Sequence, residues 1–250
     1  MILKNFKMTI AYDGRRYKGF RKTKQNDDKT IQGKLEMILN KMCEQEIEVI
    51  AAVNTDAGVH AKKQVVNFKI EDTKLKPRDI KKYFEEFLPD DIVVIKVEEE
   101  EERFHSRYMI KTITYEYRLW KKDAPVRALF ERQYVKQMDE MLNIHTMQDA
   151  AKLLIGEHDF ANFSTKSKAN NTIKNMVDLN VSENDNEIII TMKANGFLLN
   201  MERIIVGTLV QIGLAQRKKE SITEAFNTKK KDVVGHKAMG HALCLTDIEY

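Results

Sequence analysis

The stretch Phe6-Lys7-Met8-Thr9-Ile10-Ala11-Tyr12 carries a large apolar side chain at every second position, the period of a strand with one buried face. Downstream, Ile31, Leu35, Ile38, Leu39 and Met42 fall on one helical stripe behind Thr30, whose hydroxyl suits the cap of a first turn. A short strand over 47–53 follows, then a second alternation at Val66, Phe68 and Ile70. Pro77 opens a helix carrying Ile80, Phe84, Phe87 and Leu88, and residues 92–97 read as another strand. The order is β-α-β-β-α-β, a ferredoxin-like unit.

That order recurs. Ile113, Tyr115, Tyr117 and Leu119 share one strand face, and residues 130–135 are expected to pair beside them. A helix closes over 150–155, residues 176–181 and 187–194 form a hairpin pair, 201–214 is a nearly all-apolar helix and 242–250 a last strand. The expected class is α+β: two ferredoxin-like halves joined into a continuous, mainly antiparallel sheet, with helices packed on one side. The domains are expected at 1–102 and 103–250, divided in the acidic run 98–102. Gly207 and Gly213, each costing about 1 kcal/mol in a helix interior, predict close packing of the apolar helix against a sheet. Arg203, at its start, needs a partner, because an unpaired buried charge costs several kcal/mol.

The 250 residues have room for one large or two small domains. An apolar share of 42%, a charged share of 32%, ten glycines and three prolines are globular values. Cys43 and Cys244 form no close pair, which speaks against a disulfide framework and a cysteine-based zinc site. Lys4 and Lys7 interrupt the first apolar residues, unlike a leader peptide, and no apolar run approaches the roughly 18 residues of a membrane span. A soluble, cytoplasmic protein is expected.

The net charge of +4 says little as a total; its distribution says more. Arg15, Arg16, Lys18, Arg21, Lys22 and Lys24 stand together without an acid, and a second basic stretch covers 217–231. Clustered cations suit a polyanion, although a charge run taken alone is more often a solvated face. In the first cluster Tyr17 and Phe20 are interleaved, as a stacking surface beside a phosphate track requires.

The segment with the most chemistry is Asn54-Thr55-Asp56-Ala57-Gly58-Val59-His60-Ala61, between two strands. Asn, Asp and Gly suit a turn, yet a carboxylate held near a sheet with an arginine partner stays ionised and can serve as nucleophile or base. His60, His105, His158 and His241 have no metal-binding spacing. No Gly-rich phosphate loop is present, and Ser106, Ser164 and Ser167 lie in no nucleophile motif.

The string Thr55-Asp56-Ala57-Gly58-Val59-His60-Ala61, followed by Gln64-Val65-Val66-Asn67-Phe68, closely resembles the catalytic-aspartate loop of the tRNA pseudouridine synthase A family. The resemblance continues through Tyr12-Asp13-Gly14, Tyr17, Gly19-Phe20, Thr30-Ile31-Gln32 and Leu35-Glu36. It extends to Leu88-Pro89-Asp90-Asp91-Ile92, Phe104-His105-Ser106-Arg107-Tyr108 and Thr114-Tyr115-Glu116-Tyr117. Gly156-Glu157-His158-Asp159-Phe160, Gly196-Phe197-Leu198, Arg203 and His241 fit as well.

The resemblance implies isomerisation of uridine to pseudouridine in the tRNA anticodon arm, at positions 38, 39 and 40, by a homodimer without metal or small-molecule cofactor. It implies Asp56 as the catalytic aspartate, Tyr115 as the ring against the uracil and Arg203 as the aspartate's cation. Arg15, Arg16, Tyr17, Lys18, Phe20, Arg21, Lys22, Asn54, His60 and Arg107 are the expected RNA contacts. Some positions depart from the family. Its loop reads Arg-Thr-Asp where this chain has Asn54, and its Trp-Gln is here Phe20-Arg21. Its late Arg-x-Met-Val-Arg is here Leu199-Asn200-Met201-Glu202-Arg203, and Met239 stands where it has proline. Asn can neither clamp a phosphate nor fill a vacated stack as a guanidinium does. Two alternatives follow: an RNA-binding paralogue with little or no catalysis, and a synthase acting on a different structured RNA.

Overall fold

The computed structural model describes residues 3–23, 27–71, 73–165, 171–228 and 230–250, with Asp27 and Lys231 described in backbone only. Lys24, Lys229 and Ser167 therefore lie outside the described residues. The elements are β1 (Leu3–Tyr12), α1 (Ile31–Cys43), β2 (Ile50–Ala51), β3 (His60–Glu71), α2 (Pro77–Phe87), β4 (Ile92–Glu100) and β5 (Thr112–Trp120). Then come β6 (Lys136–Gln137), α3 (Ile144–Lys152), β7 (Gly156–Asp159), β8 (Ile173–Glu183), β9 (Glu187–Ala194), α4 (Met201–Gly213), α5 (Glu220–Asn227) and β10 (Leu243–Glu249). The fold is mixed α+β and mainly antiparallel.

The chain divides into two compact units, 1–111 with 245–250, and 112–244. The division lies past the acidic run, because residues 98–100 continue β4 instead of forming a linker. Their charges are matched across the ladder: Lys7 pairs in register with Glu98, while Lys4 bonds Glu99 at 3.1 Å and Lys7 bonds Glu100 at 3.2 Å. Opposite charges on neighbouring strands favour pairing.

In the first unit the strand order is β4-β1-β3, with β2 and β10 also beside β3. Phe6, Met8, Ile10 and Tyr12 are buried on one face, and Phe6 lies opposite Phe68 with ring centroids 5.8 Å apart. Thr30 caps α1 through a 3.1 Å bond from Gly33 N–H, and Ile31, Leu35, Ile38 and Leu39 are buried. Only Ile80 and Phe84 of α2 are buried; Phe87, expected on the same stripe, is 43% exposed. The strand expected over 47–53 shortens to Ile50–Ala51, whose partners are Asn67 and Val66.

In the second unit the order is β5-β9-β8-β7. Tyr115 and Tyr117 are buried with Ile113 and Leu119, as the alternation demands. Residues 130–135 do not form the expected strand. Phe130 is 84% exposed, a short 3-10 turn covers 131–133, and only Lys136–Gln137 pair with β5. The glycines of α4 make close approaches, but not to a sheet. A Cβ on Gly207 would sit 1.7 Å from the His236 carbonyl oxygen of a loop, and one on Gly213 would sit 2.8 Å from Met147 Sδ of α3. No helix of the described residues is long and apolar enough to cross a membrane.

Candidate active site

The Asp56 loop is fixed from below and from one side. Below it, the Tyr12 hydroxyl and Thr55 Oγ1 share a buried 2.7 Å hydrogen bond. Gln64 Nε2 donates to the Val53 carbonyl at 2.9 Å and reaches the Tyr12 oxygen at 3.4 Å. Val59 N–H closes a turn on the Asp56 carbonyl at 3.1 Å, with Gly58 at φ 77°. To the side, the 14–20 segment lies flush against the loop. Phe20 N–H donates to the Thr55 carbonyl at 3.0 Å, and a Cβ on Gly14 would fall 1.9 Å from the Val59 carbonyl oxygen. Gly19, at φ 101°, leaves only 2.8 Å for a Cβ before Thr55 O. These backbones touch because glycine permits it. Asp56 is thereby presented half-buried at the loop, with Asn54 exposed beside it.

The motifs of the first unit interlock. Asp13 N–H donates to the Asp91 carbonyl at 2.9 Å, and the Tyr17 hydroxyl donates to Asp91 Oδ1 at 2.5 Å. Burial first, and the Asp91 carboxylate second, push the Tyr17 hydroxyl pKa well above its ordinary value. Gln32 and Glu36 form a clamp: Gln32 receives Lys22 N–H and donates to Glu36 and to Val49 O, while Glu36 receives Val49 N–H at 2.9 Å.

Several of the residues expected to touch RNA are engaged elsewhere. Tyr17 and Phe20 are 7% and 1% exposed, so neither ring offers a stacking surface; Phe20 packs instead near Tyr12 at 6.3 Å. Apolar rings gain more from that core than from water between cations. His60 is buried, with Nδ1 3.2 Å from both Gly14 N and Asp13 Oδ1; it orients the loop. Arg15 grips the Asp13 carboxylate with two donors, and Lys22 Nζ lies 2.9 Å from Glu36. Arg16, Lys18, Arg21, Asn54 and Arg107 are exposed. Arg107 is steadied by a 3.3 Å bond from Nε to Ala51 O, and Ser106 by a 2.7 Å bond to Ile50 O. In the second basic stretch Arg217 bonds Gln211 and Asp232 O.

Within the second unit, Tyr115 is 3% exposed and meets Phe197 edge-on, centroids 5.3 Å apart. Nothing in the strand pattern marks Phe197 as its neighbour. Arg203 is half-buried, its Nε donating to Ala238 O at 2.7 Å and its Nη1 reaching Asn200 Oδ1 at 3.4 Å. Its guanidinium and the Met239 N–H act against the burial that raises the Tyr117 pKa, and burial prevails. Among the described residues no group of three or more His, Cys, Asp or Glu could hold a metal ion.

The first unit thus carries a turn-borne carboxylate, and the second a buried tyrosine and a half-buried arginine. A model of the tRNA pseudouridine synthase family matches residues 8–109 and 150–250. "tRNA pseudouridine synthase A 2" of Bacillus anthracis is 40% identical over 249 residues, 99% of this chain and 100% of the relative. "tRNA pseudouridine synthase A 1" of Clostridium tetani is 42% identical with the same coverage. "tRNA pseudouridine synthase A" of Bacillus sp. (strain KSM-64) is 38% identical over 93% of this chain and 94% of its own. The chain belongs to the tRNA pseudouridine synthase A family, isomerases that convert uridine to pseudouridine.

Proposed function

We propose that this protein isomerises uridine to pseudouridine in the anticodon arm of tRNA, at positions 38 to 40, as a cytoplasmic homodimer, with Asp56 as the catalytic residue. In this reading the Asp56 carboxylate drives cleavage of the bond between uracil N1 and the sugar C1′. The base turns while held, C5 bonds to C1′, and the proton leaving C5 is replaced at N1, so no atom is gained or lost. Tyr115 lies against the uracil and takes the C5 proton, and Arg203 keeps the carboxylate charged. The target leaves its stack to reach the site, at a cost of about a few kcal/mol.

The observation that carries the reading is the immobilised loop. Gly14, Gly19, Tyr12 and Gln64 fix the backbone on either side of Asp56, the preorganisation an acid or nucleophile needs. A second reading, a paralogue that binds RNA with little turnover or acts on another structured RNA, is favoured by the exposed, uncharged Asn54.

The test is single-turnover incubation of the full chain with an anticodon-arm transcript, with pseudouridine measured directly. Asp56→Ala is expected to slow formation on the order of 10³-fold or more. Equal product from both proteins would remove Asp56 from its role. Salt-dependent binding of the transcript without isomerisation by the wild type would favour the second reading.

A further inference from the structure

A cavity of about 430 Å³ opens in the first unit, and none of residues 54–60 lines it. Its size falls within the roughly 300–1,000 Å³ of small-ligand sites. Arg16, Lys29 and Lys34 bring cations to it, and Met37 and Phe87 bring apolar surface, with Asp28 and Asp91 as its acids. Asp91 is already engaged by the Tyr17 hydroxyl at 2.5 Å and by Arg16 at 3.8 Å. Among the described residues, neither Lys29 nor Lys34 has an ion-pair partner.

The apolar wall is as telling as the charge. Met37 and Phe87 are 58% and 43% exposed. The Phe87 ring is held in place by Tyr83, 4.5 Å away, and by Lys41 Nζ, 5.2 Å from its centroid. A fixed, solvent-facing ring beside unpaired lysines presents both surfaces a nucleotide needs, one for its base and one for its phosphate. Backbone bonds join this cavity to the exposed cations near the Asp56 loop. Lys18 N–H donates to Lys29 O at 2.8 Å, and two residues further Phe20 N–H donates to Thr55 O.

We propose that this cavity receives one nucleotide of the RNA substrate other than the target uridine, its base against Phe87 and Met37 and its phosphate at Lys29, Lys34 and Arg16. The inference rests on the tRNA reading above. It gives the enzyme a second hold on the strand, set off from the chemistry, in a chain whose aspartate loop lacks the family's arginine.

The experiment measures binding of the anticodon-arm transcript across a salt series, using the full chain as wild type, Lys29→Gln/Lys34→Gln, Phe87→Ala and, as a control on an exposed lysine of the second unit, Lys152→Gln. The double lysine variant is expected to weaken binding and flatten the slope of log K against log salt by about 0.7 for each phosphate no longer neutralised. Phe87→Ala is expected to raise Kd about five- to a hundredfold, the effect of removing a base stack, with the slope unchanged. All lysine positions tested are on the surface, so the double variant remains informative even if Phe87→Ala lowers the melting temperature. A wild type that binds and converts the transcript, while both cavity variants match Lys152→Gln in affinity and slope, overturns the cavity proposal and leaves the tRNA reading standing. Binding of free uridine 5′-monophosphate, abolished in the cavity variants whose RNA affinity is unchanged, reassigns the site to a mononucleotide and also overturns it. A wild type that neither binds nor converts the transcript overturns both.

Discussion

Tyr12, in the first strand, and Thr55, next to Asp56 in the loop, are joined by a buried hydrogen bond of 2.7 Å. The strand thus sets the height of the loop through one phenolic oxygen. Tyr12→Phe removes that oxygen and leaves Thr55 Oγ1 without this partner. The expected loss is about 0.5–1.5 kcal/mol of stability, or roughly 2–4 °C per kcal/mol in a chain of this size. The turnover rate is expected to fall while RNA affinity holds, because the residue positions Asp56 without facing solvent. Thermal unfolding and single-turnover kinetics check both.

Three glycine-to-alanine substitutions are expected to divide by geometry. Gly14→Ala and Gly207→Ala each drive a methyl into a backbone carbonyl, at 1.9 Å from Val59 O and 1.7 Å from His236 O. Each is expected to cost at least about 1–3 kcal/mol. Gly196→Ala meets only the Lys174 side chain, at 3.9 Å, and is expected to stay within about 0.5 kcal/mol of wild type. Denaturant titration of the three proteins decides the matter.

Asn54→Arg is expected to leave stability nearly unchanged, since the side chain is exposed. It is expected to speed single-turnover formation of pseudouridine on the anticodon arm, because a guanidinium can occupy the stack a flipped base vacates. An unchanged rate on this RNA, with a faster rate on another, would show that substrate choice and not base eviction is what Asn54 alters.

Alkali is expected to destabilise the fold. Burial raises the hydroxyl pKa values of Tyr17, Tyr117 and Tyr250. Above about pH 10 the unfolded chain releases these protons while the folded chain retains them, so stability falls as pH rises. Each such tyrosine contributes a slope of about 1.4 kcal/mol per pH unit. Tyr17→Phe should flatten the profile by one proton, as read from unfolding free energies between about pH 9 and 11.

The order of the longer strands and helices was legible in the sequence because period-two and period-3.6 burial marks them, whereas the short β6 and β7 and the two-turn α5 carry too few residues to show a period. What misled was charge and aromaticity without register. The run 98–102 reads as a solvated linker until Lys4 and Lys7 are seen opposite it. Tyr17 and Phe20 read as a stacking surface until tertiary packing buries them. The Asp56 loop was legible by its motif, whereas the Tyr12–Thr55–Gln64 network beneath it was not, because hydrogen bonds between distant residues leave no periodic trace. Nor does local sequence reveal that Gly207 meets His236.

The pairing of β10 with β3 has a consequence for the newborn chain. One edge of β3 is taken by β1, and β2 covers only a short part of the other. Until residues 245–249 have left the ribosome, the nascent first unit presents unsatisfied amides and carbonyls along its longest strand, an adhesive edge. A chain cut after Lys111 would keep that edge open, and the late strand closes an edge along which neighbouring chains could otherwise pair.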